Sequence, residues 1–336
     1  MWTQVATQQK TNLDVIGDDF PPIPYSWYAV AFESELRPGT VLTRNFVDSE
    51  IVVFRGDSGR IAAVGPYCPH LGAHLGKRSR VVGDCIECPF HEFRFDTTGR
   101  CVDTPYDAPA PNLELNMLPV RNVLGMVMVY YGPADEPPAF ELDLPDSDPD
   151  WHRIQTNRLH FRAHPQDVNE NGLDYGHFQT VHKFTDFTIG EPMRIEGPRI
   201  HTAYGGTRPL PLVHGVRFDF TSVLIGLGFS LVEIAIQGGW TVRQMVLPTP
   251  VGPRETDIYI GISARRRAKS RLGRLLMAPI EKIMARIVLA VVSYEVQRDQ
   301  VIWDEKTYLE HPKLTRSDGP IGKYRSWARQ FYRAAG

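Results

Sequence analysis

The sequence predicts an α+β protein of two domains, a small amino-terminal β-domain and a larger carboxy-terminal domain that combines strands with a long helix. Three observations lead to this prediction. The chain has 336 residues, which is long for a single hydrophobic core. Short strand-like runs surround a stretch rich in cysteine and histidine in the first third. Residues 280–303 have the periodicity of a long amphipathic helix.

The composition excludes several classes of protein. Lys and Arg (37) balance Asp and Glu (39), so the net charge is −2 and no global field favours nucleic acid. Four cysteines are too few for a disulfide scaffold, and the first residues lack the pattern of a secretory signal. The longest apolar run, near 223–232, is shorter than the roughly 20 residues that a membrane span requires. We therefore expect a cytoplasmic protein in a reducing compartment that does not bind nucleic acid.

A segment rich in proline and aspartate indicates where one domain ends and the next begins. Strand-like runs at 51–65 and 99–106 belong to the first domain. The predicted divisions are an extension (1–24), the first domain (25–132), a linker (133–151) and the second domain (152–336).

The stretch CPHLGAHLGKRSRVVGDCIECPFHEFRF contains two matching ligand pairs, Cys68-x-His70 and Cys88-x-x-His91. Two kinds of metal site are built from two cysteines and two histidines. Tetrahedral zinc binds all four around one ion. A Rieske [2Fe–2S] centre places two cysteines on one iron and two histidines on the other. Each loop here supplies one cysteine and one histidine in the same order, which favours the two-iron cluster over zinc.

The remaining cysteines have simpler interpretations. Cys85 stands at CxxC spacing from Cys88, so a metal pair of these two thiols is an alternative. A buried thiol in a strand is the favoured interpretation for Cys85 and for Cys101.

A second cluster of ligands lies in HPQDVNENGLDYGHFQTVH. Asp167 and Glu170 have the spacing of a capping box, which predicts a helix start. Asp174 and His177 would then share a helix face. His182 is five residues beyond His177, so both imidazoles reach one metal only if the helix ends or bulges between them.

Two histidines require a carboxylate to form the facial triad of a non-haem Fe(II) site. Asp174 is one candidate. Asp299 is another, because in the predicted helix 280–303 it continues a stripe through Glu295 and two valines that faces inward. Asp304 is a weaker third candidate, and the alternative for Asp299 is an ion pair with an arginine near the helix end.

The two clusters, in this order, resemble the catalytic subunit of the Rieske non-haem iron oxygenases. The resemblance implies that His177, His182 and Asp299 hold a mononuclear Fe(II). It implies that Asp174 bridges an iron-binding histidine and a cluster histidine of the neighbouring subunit, in a homotrimer. The implied fold is a Rieske β-domain followed by a helix-grip catalytic domain with an antiparallel sheet. The strand-like runs that fit this sheet are 193–204, 213–236, 240–248 and 255–264.

The sequences GDCIECPFHEFRF and DQVIWDEKTY, with DGPIGKYRSWARQFY near the end, are similar to the steroid and sterol branch of this family. That branch includes the 3-ketosteroid 9α-hydroxylase oxygenase component and the cholesterol 7-desaturases. The resemblance implies hydroxylation of a hydrophobic, steroid-like substrate with O₂. Electrons would come from NAD(P)H through a flavin and iron–sulfur reductase or a ferredoxin. Desaturation is the alternative reaction, and an electron-transfer protein without oxygenase activity is the alternative class.

Two further segments have alternative interpretations. The apolar run 223–236 either lines a pocket for a flat hydrophobic molecule or belongs to the sheet core. The basic run 265–274 is either a solvated loop or a docking site for an acidic electron donor or anionic lipid. The apolar helix that follows it offers peripheral membrane contact as an alternative to packing its apolar face around Asp299.

Overall fold

The computed structural model describes residues 20–134, 136–210, 213–266 and 271–332, so most of the predicted extension and part of the basic run lie outside them. The amino-terminal part contains eleven short strands and a 3₁₀ helix (Glu33–Glu35). The strands are β1 (Ser26–Phe32), β2 (Val41–Phe46), β3 (Ser49–Arg55), β4 (Ile61–Val64), β5 (Arg80–Val82), β6 (Cys85–Glu87), β7 (Arg94–Phe95), β8 (Cys101–Asp103), β9 (Met117–Leu118), β10 (Val120–Val123) and β11 (Met126–Tyr131). They form three sheets with the orders β1-β11-β10, β2-β3-β4-β9 and β5-β6-β7-β8.

The carboxy-terminal part is a seven-stranded antiparallel sheet with helices, as the α+β class requires. Its elements are β12 (Gln155–Phe161), α1 (Pro165–Asn171), α2 (Tyr175–Thr180), β13 (Thr185–Glu196), β14 (Arg199–Leu210), β15 (Val213–Ile225), β16 (Phe229–Ile236), β17 (Trp240–Gly252), β18 (Glu255–Arg266), α3 (Arg271–Glu305), α4 (Ile321–Ala328) and a 3₁₀ turn (Arg329–Phe331). The sheet order is β12-β18-β17-β16-β15-β14-β13.

Two of the predicted strand-like runs are in fact hairpins. The run 213–236 contains β15 and β16, which pair from Phe218 with Ile236 to Ile225 with Phe229. Gly226 begins the turn between them with a positive φ of 60°, a conformation that suits glycine. Apolar residues continue on both sides of the turn, which is why composition alone did not separate the strands. The run 193–204 likewise crosses from β13 into β14.

The start of α1 corrects the predicted capping box. The N-cap is His164, whose ring Nδ1 accepts a hydrogen bond from the Gln166 backbone N–H, and Pro165 occupies the first turn. Asp167 instead accepts from Lys306 at 3.1 Å, and Glu170 pairs with Arg325. Both cations come from distant parts of the chain, so the local pattern of acids was misleading.

Helix α3 lies across one face of the sheet and packs mainly on β12 and β18. It begins nine residues before the predicted segment and continues through Pro279. Its inward side chains include Ala285, Val296 and Trp303, which join buried residues of β12, β17 and β18 in one core. Within the described residues, no helix combines the length and apolar character needed to cross a bilayer.

The two domains share a hydrophobic core. Trp27 and Met128 of the first domain pack with Phe229, Met245 and other side chains of the large sheet. Side-chain hydrogen bonds cross the same boundary, among them those from Tyr259 Oη to the Val30 carbonyl at 2.8 Å and from Thr249 Oγ1 to the Ala29 carbonyl at 2.6 Å. In the predicted linker, the described residues contain no helix or strand, but Phe140, Leu142 and Leu144 pack against this core.

Candidate metal centres

Two similar loops carry the amino-terminal ligands. The first joins β4 to β5 and begins at Cys68, whose carbonyl accepts from the Gly72 backbone N–H at 2.9 Å. The second joins β6 to β7 and begins at Cys88, whose carbonyl accepts from the Glu92 N–H at 3.1 Å. Gly72 and Glu92, at equivalent positions, both have a positive φ. The same turn therefore follows each cysteine, and each loop contributes one histidine from within it.

The four side chains of these loops face one another. Cys68 and Cys88 are each 2% exposed and belong to the same cluster of buried residues. Burial, together with the neighbouring Cys88, raises the pKa of the Cys68 thiol to about 11 in the absence of metal. The rings of His70 and His91 lie 4.8 Å apart between centroids and nearer the surface. Two buried thiols opposite two more exposed imidazoles are the donor set that a Rieske cluster requires.

The second group of ligands begins with Asp174, which is the N-cap of α2. Its carboxylate accepts from the His177 backbone N–H at 3.0 Å. The helix ends at Thr180, so His182 leaves the helical path and its ring centroid lies 4.5 Å from that of His177. The predicted end of the helix between the two histidines is therefore found in the structure.

Asp299 of α3 completes this group. Its Oδ1 lies 2.9 Å from His177 Nε2, and its Oδ2 lies 3.6 Å from His182 Nε2. All three residues are less than 10% exposed, and their ligand atoms all lie within 4.8 Å of one another. Among the described residues, this trio is the group of three or more donors that can surround one ion. Two imidazoles and one carboxylate are the donors of a non-haem Fe(II) facial triad.

The other predicted carboxylates lie elsewhere. The carboxylate of Asp174 remains at the N-cap of α2 and bonds the backbone of His177. It does not bond the ring of His177, whose buried Nδ1 has no hydrogen-bond partner among the described residues. Asp304 accepts from the Arg162 backbone N–H at 3.1 Å. Asp299 contacts the two histidines, so the alternative of an arginine pair does not describe its surroundings.

Glu295 was not predicted as part of the site. Its carboxylate accepts from His182 Nδ1 at 2.8 Å, which leaves Nε2 facing Asp299. Arg208 and Arg298 both pair with the same carboxylate. A carboxylate behind a metal-binding histidine fixes the tautomer and the ring orientation. Its position one helical turn before Asp299 is the sequence signal that points to it.

The electrostatics suit metal binding. Burial lowers the pKa of His182, although Glu295 and Asp299 favour its charged form, so the neutral imidazole that a metal needs is available. For Glu295, burial opposes ionisation, but hydrogen bonds from Arg208 and His182 outweigh it and lower the pKa. Glu295 therefore stays charged behind a neutral histidine.

Apolar side chains surround the trio. The ring of Phe178 lies 5.8 Å from that of His182 and connects to Tyr204 and Phe220 at 5.1 and 6.1 Å. Half-buried residues of β15, β16 and α3 pack against the same core cluster as Phe220, namely Phe218, Val232, Ile236, Met284, Val288, Leu289 and Val292. For the run 223–236 a pocket lining and a sheet core were alternatives, and its residues Ile225 and Phe229 pack in the core between the domains.

A cavity of about 320 Å³ lies away from these ligands, where the two domains meet. Arg243 at its wall pairs with Asp148 and Glu233, both at 2.8 Å, and stacks on Trp151. These internal pairs connect the linker to β16 and β17, so the cavity belongs to the domain junction.

Both parts of the chain match known families. Residues 26–119 match the Rieske [2Fe-2S] domain, and residues 129–332 match the 3-ketosteroid 9alpha-hydroxylase C-terminal domain. The second match covers more than half of the chain. The chain is a Rieske oxygenase. Its domain types are therefore those of the steroid and sterol branch, and the enzyme is an oxidoreductase.

The relatives of this Rieske oxygenase support the same conclusion. Cholesterol 7-desaturase nvd of Bombyx mori is 30% identical over 332 residues, which cover 93% of this chain and 70% of that protein. A probable 3-ketosteroid-9-alpha-monooxygenase oxygenase component of Rhodococcus rhodochrous is 26% identical over 361 residues, covering 97% and 85%. Dicamba monooxygenase bound to 3,6-dichlorosalicylic acid shares the fold, with a TM-score of 0.72, 19% identity and coverage of 91% and 96%.

The Rieske domain implies a [2Fe–2S] cluster, and a dicamba monooxygenase structure of the same fold contains non-heme iron. The residues fit both groups. The trio His177, His182 and Asp299 supplies two imidazoles and one carboxylate within 4.8 Å of one another, as a mononuclear iron requires. The two loops supply two buried thiols and two more exposed imidazoles, as a cluster with differently ligated irons requires.

Proposed function

We propose that this Rieske oxygenase hydroxylates a hydrophobic, steroid- or sterol-like substrate with O₂. In this proposal Cys68 and His70 with Cys88 and His91 hold the [2Fe–2S] cluster. The residues His177, His182 and Asp299 hold the mononuclear iron. The observation that carries the proposal is the convergence of this trio within 4.8 Å, next to a half-buried apolar surface.

The chain's own residues account for several requirements of the reaction. When bound, the iron supplies O₂ activation, and the cluster supplies the electrons. Three protein ligands leave coordination positions open. Glu295 holds His182 with Nε2 toward the site, while Phe178 and neighbouring aromatic rings exclude water from it. The site is therefore suited to attack on a C–H bond rather than to electron transfer alone.

The substrate class rests on the surface beside the trio and on the relatives. Apolar residues of β15, β16 and α3 favour a large apolar molecule. Among the described residues of this surface, Phe178, Tyr204 and Phe220 provide flat faces that fit fused rings. Relatives named as acting on cholesterol and 3-ketosteroids are consistent with this substrate class.

The partners follow from the same proposal. Electrons come from NAD(P)H through a reductase or a ferredoxin. The enzyme assembles as a homotrimer, in which Asp174 links His177 to a cluster histidine of the next subunit. We further propose a cytoplasmic location, because the free cysteines that bind the cluster require a reducing compartment, with membrane contact only at the periphery.

Desaturation is the second candidate reaction. The relatives that are 30% identical to this chain are named cholesterol 7-desaturases. Hydroxylation and desaturation both begin at a C–H bond and require the same donors, so the position of the substrate decides between them.

The decisive experiment measures iron, sulfide and products. Anaerobically purified protein is expected to contain about three irons and two sulfides per chain. His177→Ala should lose one iron and retain the absorption of the cluster. The wild type, with a reductase and NAD(P)H, is then tested on cholesterol and a 3-ketosteroid.

A product that is heavier by one oxygen identifies hydroxylation, whereas the loss of two hydrogens identifies desaturation. If the wild type contains two irons even after Fe(II) is added, the oxygenase proposal is wrong and electron transfer remains. A zinc protein without colour would contradict both assignments.

A further inference from the structure

Helix α3 has an apolar stripe on its outer surface. Eight large apolar side chains of this helix are at least 46% exposed: Leu276, Ile280, Ile283, Ile287, Val291, Tyr294, Val301 and Ile302. At 100° per residue they fall within an arc of about 100°, and they extend over about 39 Å of helix. A continuous exposed stripe of this size marks an interaction surface.

The charges along the stripe have one sign. Between Leu276 and Ile302 the exposed charged residues are Lys282 and Arg286. The three acidic residues of this interval are turned inward, where Glu281 contacts His152, and Glu295 and Asp299 serve the metal site. The sequence that precedes the stripe, RRRAKSRLGR, contains six basic residues and no acidic one. This distribution is complementary to an anionic surface.

One edge of the stripe continues toward the metal site. Met284, Val288 and Val292 follow one another at every fourth position beside the exposed stripe and are half-buried. The same flank leads on to Glu295 and Asp299. Half-buried apolar residues therefore occupy the flank of α3 that lies between its exposed stripe and its metal-site residues.

We infer that the stripe of α3 binds the surface of a membrane that contains anionic lipids. The apolar side chains enter the boundary between headgroups and acyl chains, and the cations lie among the headgroups. The flank from Met284 to Val292 then receives an apolar substrate from the bilayer, a part that rests on the proposed function. Membrane binding itself does not depend on the substrate.

The charges also argue against a second copy of this chain as the occupant. If two copies met through this stripe, the exposed cations Lys282 and Arg286 of both copies would flank the contact. Between Leu276 and Ile302 no exposed acidic residue would compensate these charges. An anionic bilayer satisfies both the apolar side chains and the cations.

The test is flotation of the holoenzyme with vesicles. Vesicles of equal parts phosphatidylcholine and phosphatidylglycerol are compared with vesicles of phosphatidylcholine alone. The double variant Ile283→Glu, Ile287→Glu should reduce the bound fraction about tenfold or more.

The matched control Ile189→Glu, Ile195→Glu changes exposed isoleucines of β13 and should bind like the wild type. Replacing Lys282 and Arg286 by glutamine should remove the preference for the anionic vesicles.

Turnover of a steroid delivered by cyclodextrin separates this inference from the proposed function. The stripe variant should turn over the dissolved steroid like the wild type but lose turnover of a sterol held in vesicles. Absence of wild-type binding, or equal binding by the stripe variant, overturns the inference. A change in the mass of the lipid-free assembly on Ile283→Glu, Ile287→Glu assigns the stripe to a second copy and also overturns it.

Discussion

At the scale of single residues, His182 donates from Nδ1 to Glu295, and two arginines hold the same carboxylate. The chain thus orients a metal-binding ring through a charged group that does not touch the metal. The negative charge also strengthens the imidazole as a donor.

Replacement of Glu295 by alanine is therefore expected to weaken Fe(II) binding by about 10- to 100-fold. Anaerobic titration of Fe(II) into iron-depleted protein measures this affinity, and the cluster absorption should not change. Glu305→Ala, in the exposed last turn of the same helix, is the control. Equal Fe(II) affinity in the two variants would mean that Glu295 does not orient His182.

His164 gives a second prediction at this scale. Burial lowers its pKa from 6.5 to about 4, although the backbone carbonyls of Pro22 and Pro21 favour the charged form. The unfolded chain takes up this proton near pH 6.5, but the folded chain only near pH 4. The free energy of unfolding should therefore fall by about 3 kcal/mol as the pH drops through this window.

The measurement is thermal unfolding across this pH range, with two variants for comparison. His164→Asn retains an N-cap acceptor without a titrating ring, so its stability should depend less on pH. His311→Asn, an exposed histidine, should follow the wild type. A pH dependence of His164→Asn identical to the wild type would assign the loss of stability to other groups.

At the scale of elements, α2 is a six-residue helix that begins at its Asp174 cap and ends before His182. The cap and the proposed bridge to the neighbouring subunit use the same carboxylate. Asp174→Ala should lose about 1 kcal/mol of stability because the cap is lost, whereas Asp174→Asn retains a capping oxygen.

Electron transfer separates the two roles of Asp174. Both variants should slow the oxidation of the reduced cluster in a single turnover, because both remove the charged bridge. If Asp174→Asn transfers electrons like the wild type, the cap is the role of this residue and the bridge is not.

How much of each element the sequence predicts depends on where its partners lie. The end of α2 and the inward stripe of α3 follow from local spacing, and both are found in the structure. The start of α1 is different, because Lys306 and Arg325 attract the two acids that resembled a capping box. Such partners become neighbours only after the chain has folded. Arg208 reaches Glu295 in the same way and left no local signal.

At the scale of the whole molecule, the close contact of β1 with the β15–β16 turn joins the two domains. A Cβ on Gly228 would lie 2.1 Å from the Trp27 carbonyl oxygen, closer than atoms can approach. Gly228→Ala should therefore reduce stability by about 1–3 kcal/mol. The loss of secondary structure and the bleaching of the cluster should shift to lower temperature together.

Gly322→Ala is the control for this substitution. Gly322 lies in α4, where the nearest atom to an added Cβ is 3.7 Å away, so the change should be neutral or slightly stabilising. Separate transitions for the cluster and for the large sheet in Gly228→Ala would show that the domains unfold independently.

The shared core has a consequence for how such enzymes diversify. Trp27 and Met128 of the first domain must fit Phe229 and Met245 of the second. An exchange of the first domain between two relatives would therefore pair surfaces whose residues had not evolved together. Recombination within the β11–β12 connection would leave cavities and clashes between the partners. The two halves are therefore expected to be inherited as a pair, and new substrates to arise by substitutions around the iron rather than by new combinations of halves.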